Sequence, residues 1–317
     1  MSAARFGLEL PGEPGVPEMA RLARPAEDLG IESIWLTETR FTRDAVTSAA
    51  AVAMATSRTR VATAVINPFT RGAVLTAVTA ATLDELAGGR SNGMPWCAST
   101  AGDPAPSPRM NRPLAHLRSC VATVRAMLRG EAGPHGAVLD FAPVRAAVPV
   151  VLGVTGPQAL ALAGEIGDGA LLNGFLPVEH VACSVAIIRD GAARAGRHPD
   201  AIEIAGSTVV SVDPDPARAL ALARPMVTTY LALFPSIARA SGIDPERLER
   251  IGAAWGAGDG AAAAMLVEDG DVRRLACVGA PDDVRAALEE RRAAGVALPV
   301  ISFVDPRMHH LLAAVLA

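Results

Sequence analysis

The sequence predicts a single (β/α)8 TIM barrel with insertions, of the α/β class, and three observations predict it. Eight short apolar runs alternate with amphipathic helical stretches along the chain. The length, 317 residues, suits one large barrel as well as two ordinary domains. An open doubly wound sheet, the runner-up, lacks its mark, because no G-x-G-x-x-G follows the first apolar run.

The elements read as follows. Arg5 to Leu10 (RFGLEL) alternates as a strand, and a helix runs from Val16 to Leu29, stopped by Gly30. Ser33 to Thr37 is the second strand and Ala45 to Ala55 the second helix. Arg60 to Ile66 is the third strand. The helix from Ala73 to Leu86 closes at Gly88-Gly89, a left-handed helix stop. A fourth strand falls near Arg90 to Cys97 and a helix over Leu114 to Leu128. Pro149 to Gly153 and Gly169 to Leu172 are strands, each followed at once by a helix (Gly156 to Ile166, Val178 to Ala195). Ile202 to Val212 is a long strand, and helices fill Pro216 to Leu266. Asp282 to Ala294 is a helix, Pro299 to Val304 the last strand, and Arg307 to Leu316 a closing helix. The stretches 130–148 and 230–279 read as insertions on the barrel, the second one helical. No internal repeat or Gly/Ser-rich linker marks a second domain.

Composition removes several functions. All 29 basic residues are Arg, so no lysine exists to form a Schiff base, to serve a phosphate loop or to act as a kinase strand lysine. The formal net charge of −4 gives no electrostatic footprint for nucleic acid. The N-terminus shows no signal peptide and no stretch is long and apolar enough for a membrane span, so a cytoplasmic protein is expected. Cys97, Cys120, Cys183 and Cys277 are too widely spaced for a disulfide framework or a zinc motif and read as buried free thiols. The scattered His residues offer no metal-ligand spacing, so no metal is expected, and no G-x-S-x-G elbow occurs.

A barrel carries its active site at the C-terminal ends of the strands, so polar residues there are the candidates. Glu9 falls on the face of RFGLEL opposite Phe6, Leu8 and Leu10, which in a barrel is the interior. A carboxylate placed there is either a general acid or a structural group bonded to backbone or Arg. Thr37, Glu38 and Thr39 follow strand two, Asn67-Pro68-Phe69-Thr70-Arg71 follows strand three, and Asn173 ends strand six. Gly153-Val154-Thr155-Gly156-Pro157 is either an ordinary βα turn or a helix N-terminus that holds a phosphate through backbone N–H groups.

Several segments together resemble the luciferase-like monooxygenase superfamily, and within it the branch using coenzyme F420, a 5-deazaflavin, typified by methylenetetrahydromethanopterin reductase. They are RFGLEL, SIWLTETRFTRDAVTS, TAVINPFTR with TAATLDELAGGR, and GVTGPQALALAGEIGDGALLN, spanning roughly the first 175 residues. The resemblance implies a deazaflavin, or FMN, at the C-terminal mouth of the barrel. It implies a non-prolyl cis peptide near Ala64-Val65, behind the cofactor ring, with Asn67 in the loop against that ring. It further implies a phosphate loop at Gly153, Val154, Thr155 and Gly156, an acid at Glu9, and Thr37 and Glu38 facing the cofactor. The implied chemistry is hydride transfer between the coenzyme and a small-molecule substrate with an activated C=C or C=N bond, and family members are commonly homodimers.

The chain departs from the family where G-R-F and then G-x-G-x-G are usual. Here residues 89–100 read GRSNGMPWCAST, so Met94, Trp96 and Ala98 stand where glycines are expected. Pro95 has no amide to give a central ladder, and Trp96 either walls or partly fills the substrate pocket. Thr39 stands where some members carry His, which places it with Trp96 and Asn173 among the substrate-pocket candidates. Two other functions stay open on these departures: an FMN-dependent monooxygenase of the same fold, and a non-catalytic barrel that binds a ligand or partner.

Overall fold

Strand β1 (Gly7–Leu10) pairs in parallel with β2 (Ser33–Leu36), and β2 with β3 (Arg60–Thr63). Parallel neighbours need a crossover, and the helices α1 (Val16–Asp28) and α2 (Ala45–Ala55) supply it. Both faces of these strands are covered, so they are nearly continuous in apolar residues. Leu8, Leu10, Ile34, Trp35 and Leu36 are all buried, and the Trp35 indole N–H is satisfied by Ser33 Oγ at 2.8 Å. The computed structural model describes residues 5–12, 15–38, 42–91, 96–97 and 112–316. The chain divides into two compact units, Met1–Leu171 with Ile187–Ala205, and Leu172–Ala186 with Gly206–Ala317.

The first unit continues with α3 (Ala73–Leu86), β4 (Trp96–Cys97), α4 (Pro113–Leu128), β5 (Val151–Val154), α5 (Pro157–Ile166) and β6 (Gly169–Leu172), whose last residue belongs to the second unit. β4 pairs in parallel with β5, Trp96 opposite Leu152 and Cys97 opposite Gly153. Helix α3 stops where the sequence indicates, with Gly88 and Gly89 at φ 61° and 81° in the left-handed region. β3 ends at Thr63 rather than Ile66. The fourth strand, expected over Arg90 to Cys97, is described as β4 and a single bridge of Ser91 to Val61; residues 92–95 lie outside the described residues. Helix α6 (Val178–Arg194) packs its second half on α5 so closely that a Cβ at Gly164 would meet the Ile188 carbonyl oxygen.

Strand β7 (Glu203–Val212) opens the second unit's share of the chain after Ala205. Helices α7 (Pro216–Leu233), α8 (Pro235–Ala240), α9 (Pro245–Gly256), α10 (Gly260–Met265) and α11 (Asp269–Leu275) follow, then β8 (Cys277–Gly279), α12 (Pro281–Ala293), β9 (Leu298–Phe303) and the short α13 (Leu312–Leu316). Its core includes Val209, Ala223, Val227, Val272 and Leu275. β8 pairs in parallel with β7, Val210 opposite Cys277. The sequence pattern does not show this strand, which closes the stretch read as an insertion. Three residues are too few to display an alternation. Cys120 and Cys277 are buried as expected, whereas Cys183 is exposed on α6, a correction that follows from its place on the helix's solvent side. No helix among the described residues is long and apolar enough to cross a membrane.

Glu27 braces the first unit between α1 and β3. Its carboxylate, 7% exposed, accepts from the amides of Ser57 (3.0 Å), Arg58 (2.6 Å) and Thr59 (2.7 Å) and from the Ser57 hydroxyl (3.1 Å). Burial alone would raise its pKa, but these four donors outweigh it and hold the group at about 2, against 4.5 ordinarily. The stabilisation is therefore complete above pH 4.5 and is lost as the pH falls toward 2. It amounts to about 3 kcal/mol. Glu27→Gln is expected to lose most of it at neutral pH and to flatten the fall of stability with acid, as read by denaturant unfolding between neutral pH and the acid limb.

Candidate active site

Because β1, β2 and β3 run in parallel, their C-terminal ends share one edge. The ladder extends past the strands themselves: Thr37 N donates to Leu10 O (3.4 Å) and Ala64 N to Leu36 O (2.7 Å). Glu9, Thr37, Glu38, Ala64 and Val65 are thereby brought together. Glu9 lies opposite Trp35 in register and is half-buried, as are Thr37 and Glu38. The Ala64–Val65 peptide is cis, at the position the family resemblance implies.

The loop after β3 is shaped by its own polar groups. Asn67 Oδ1 accepts from Phe69 N (2.8 Å), closing an Asx turn, and Asn67 O accepts from Arg71 N (3.0 Å). Asn67 therefore spends its side-chain carbonyl on the turn. His116 of α4, which is not among the residues the sequence singles out, holds the loop from outside. Its Nε2 donates to Pro68 O (3.2 Å), its ring stacks on Phe69 at 4.3 Å, and Cys120 Sγ lies 3.5 Å from the same nitrogen. No local pattern marks it, since 48 positions separate it from Pro68.

Glu38, Asp44 and Arg71 form the charged part of this edge. Asp44 caps α2, its Oδ1 accepting from Thr47 N (2.6 Å) and the Thr47 hydroxyl (2.7 Å). Its Oδ2 accepts from an Arg71 Nη at 3.0 Å. Glu38 Oε2 accepts from Ala45 N (3.4 Å). Burial pushes the Glu38 carboxyl up, and the neighbouring Asp44 adds to this against the pull of Ala45 N and Arg71. Burial acts on Asp44 too, but Thr47, Arg71 and Glu38 outweigh it and bring that group down. Arg71 Nε is buried and has no hydrogen-bond partner among the described residues.

Gly153, Val154, Thr155 and Gly156 end β5 and enter α5. Gly153 and Val154 are buried within the strand and Thr155 is half-buried. Gly156 is the N-cap of α5 at φ −88°, with Pro157 at the first helical position. It offers no side-chain cap, and a Cβ added there would meet nothing within 4 Å. The helix start is thus open and carries the positive end of its dipole, which fits a phosphate group. Asn173 follows β6 in the second unit and lines a cavity of about 10 Å³ with Ser207, Thr208 and Arg291, room for a single water. Thr39 lies outside the described residues, and of Trp96 only the backbone placement in β4 is described. Among the described residues no group of three or more His, Cys, Asp or Glu is placed to hold a metal ion.

The model of the luciferase-like monooxygenase family matches residues 1–298. The chain belongs to this family. It is 33% identical to the 5,10-methylenetetrahydromethanopterin reductase of Methanolobus tindarius over 92% of this chain and 91% of that one. It is 30% identical to the same reductase of Methanopyrus kandleri, over 95% and 93% of the two chains. The structure of the coenzyme F420 dependent tetrahydromethanopterin reductase from Methanopyrus kandleri matches with a TM-score of 0.87 at 27% identity, covering 99% of this chain and 97% of that one. The fold class is accordingly the luciferase-like (β/α)8 barrel that the sequence predicts. The family members it matches along their whole length are enzymes.

The hold of His116 on the loop is testable by hydrogen exchange. His116→Ala is expected to raise the exchange of the Thr70 and Arg71 amides roughly 5-fold, the loss of about one hydrogen bond. The Glu32 and Arg60 amides at the opposite strand ends should keep their protection. Unchanged exchange at Arg71 removes His116 from this role.

Proposed function

We propose that this protein is a coenzyme F420-dependent oxidoreductase that transfers a hydride between the deazaflavin and a small-molecule substrate, reducing an activated C=C or C=N bond. The observation that carries the reading is the full-length similarity to methylenetetrahydromethanopterin reductases. The site residues support it. The open start of α5 at Gly156, with the Thr155 hydroxyl beside it, receives the coenzyme's phosphate. Thr37, Glu38 and the Ala64–Val65 turn line the ring, and the Asn67 loop backs it. When bound, the coenzyme supplies the two-electron hydride chemistry. Glu9, half-buried on the same edge, supplies the proton that accompanies reduction.

Fluorescence titration with coenzyme F420 and, separately, with FMN tests the cofactor. Micromolar binding of F420 and none of FMN is expected. Preference for FMN moves the reading to a monooxygenase of the same fold, and binding of neither sinks the enzyme reading. Gly156→Asp sharpens the experiment. Its φ suits any residue, and Asp is a better N-cap than Gly, so α5 is kept. Yet the new carboxylate occupies the phosphate position, and F420 affinity should fall more than about tenfold with no loss of thermal stability. Glu9→Gln should abolish turnover while F420 binding stays within about twofold; retained turnover removes Glu9 from the acid role.

A further inference from the structure

We propose that the small cavity between β6, β7, α6 and α12 is a binding site for one monovalent anion of chloride size, with Arg291 as its charged ligand. The site lies wholly within the second unit and is independent of the coenzyme reading above.

Four charged side chains are buried among the described residues: Glu27, Asp84, Asp271 and Arg291. The first three are matched. Glu27 takes three backbone amides, Asp84 takes Arg145 through two nitrogens, and Asp271 takes an Arg247 Nη at 2.9 Å. Arg291, 6% exposed, forms no ion pair among the described residues. Its neighbours along α12 do: Arg285 pairs with Asp282, and Arg292 with Glu289 at 3.1 Å. A guanidinium keeps its charge inside a protein, and taking it out of water is costly without a counter-charge. The groups around it do not supply one. Burial pushes the Cys277 thiol up, against the pull of Arg291, so that group stays neutral at physiological pH, and Glu290 is exposed. What Arg291 does line is a cavity of about 10 Å³, whose other polar residues are Asn173, Ser207 and Thr208. No Asp or Glu is in its wall. The Thr208 hydroxyl donates to Gly206 O at 3.0 Å, while Ser207 and Asn173 bring a hydroxyl and an amide, both of them able to donate. The rest of the wall is apolar, with Leu172, Leu176 and Val296 in it. In such surroundings a water would solvate the charge only in part, whereas an anion offsets it. The volume admits one particle of about the size of a water, which chloride exceeds only slightly, and leaves no room for phosphate or a carboxylate-bearing molecule.

The experiment is thermal unfolding of the whole chain, without coenzyme, in sodium chloride and in sodium gluconate at equal concentration. Gluconate is too large for the cavity. Chloride should raise the midpoint by about 3 °C, with saturation as its concentration grows, because a ligand of the folded state stabilises by mass action. Arg291→Met, which keeps an unbranched side chain without the charge, should lose the difference between the two salts. Equal midpoints of the unaltered chain in chloride and gluconate overturn the site, and so does a chloride effect that persists undiminished in Arg291→Met. Crystals of the unaltered chain soaked in sodium bromide give a second readout that does not depend on the variant's folding. Anomalous scattering from bromide in the cavity beside Arg291 supports the proposal; bromide at the molecular surface alone overturns it.

Discussion

The parallel register of β1, β2 and β3 is the constraint on which the site depends. Glu9 sits opposite Trp35, and Leu36 opposite Thr63, so the residues that follow each strand emerge side by side. A slip of one residue would exchange the side chains on the two covered faces and displace every polar residue at the edge. The opposite ends of the strands help to hold this register. Glu32 N bonds Phe6 O and Arg60 N bonds Glu32 O, both at 2.9 Å, and the side chains of Arg5, Arg60, Glu32 and Glu203 form an ion-pair network across them. One end of these strands is therefore occupied by the contacts that hold the register.

The all-arginine composition takes on a structural meaning in this setting. Arg145 grips the buried Asp84 through two nitrogens and also donates to Ser91 O at 2.6 Å, joining α3, the start of the fourth-strand segment and the stretch before β5. Arg90 reaches three carbonyls, those of Ala53 and Thr56 at 3.1 Å and Thr59 at 2.6 Å, and so satisfies the last turn of α2. Such forked bonding needs the planar guanidinium with its five donors, and a lysine ammonium would not reproduce it.

Two helix starts in the first unit are finished in opposite ways. Asp44 caps α2 with its own carboxylate, and the positive end of that helix is neutralised from within. Gly156 leaves α5 uncapped and open. The carboxylate that closes the first helix end also holds Arg71, and the second end carries no side-chain cap. The loop after β3 lies beside the first. It is closed on itself by Asn67 and held from α4 by His116, so its backbone is set by hydrogen bonds as well as by packing.

Much of this was legible in the sequence. The order of β/α units, the glycine stop of α3 and the Gly153–Gly156 turn are local patterns, readable because periodicity and turn chemistry act over a few residues. The place of the cis peptide came with the family resemblance. The tertiary structure decided what depends on distant partners. β8 is too short to show a pattern and exists through its pairing with β7. The exposure of Cys183 depends on which side of α6 finds a neighbour. Arg71 finds Asp44 27 positions away, and His116 finds Pro68 across 48. The sequence determined which elements form, because their propensity and pattern are local. The pairing of Arg71 with Asp44 and the shape of the Asn67 loop were left to the fold, because burial and hydrogen-bond partners exist only once the chain has closed on itself.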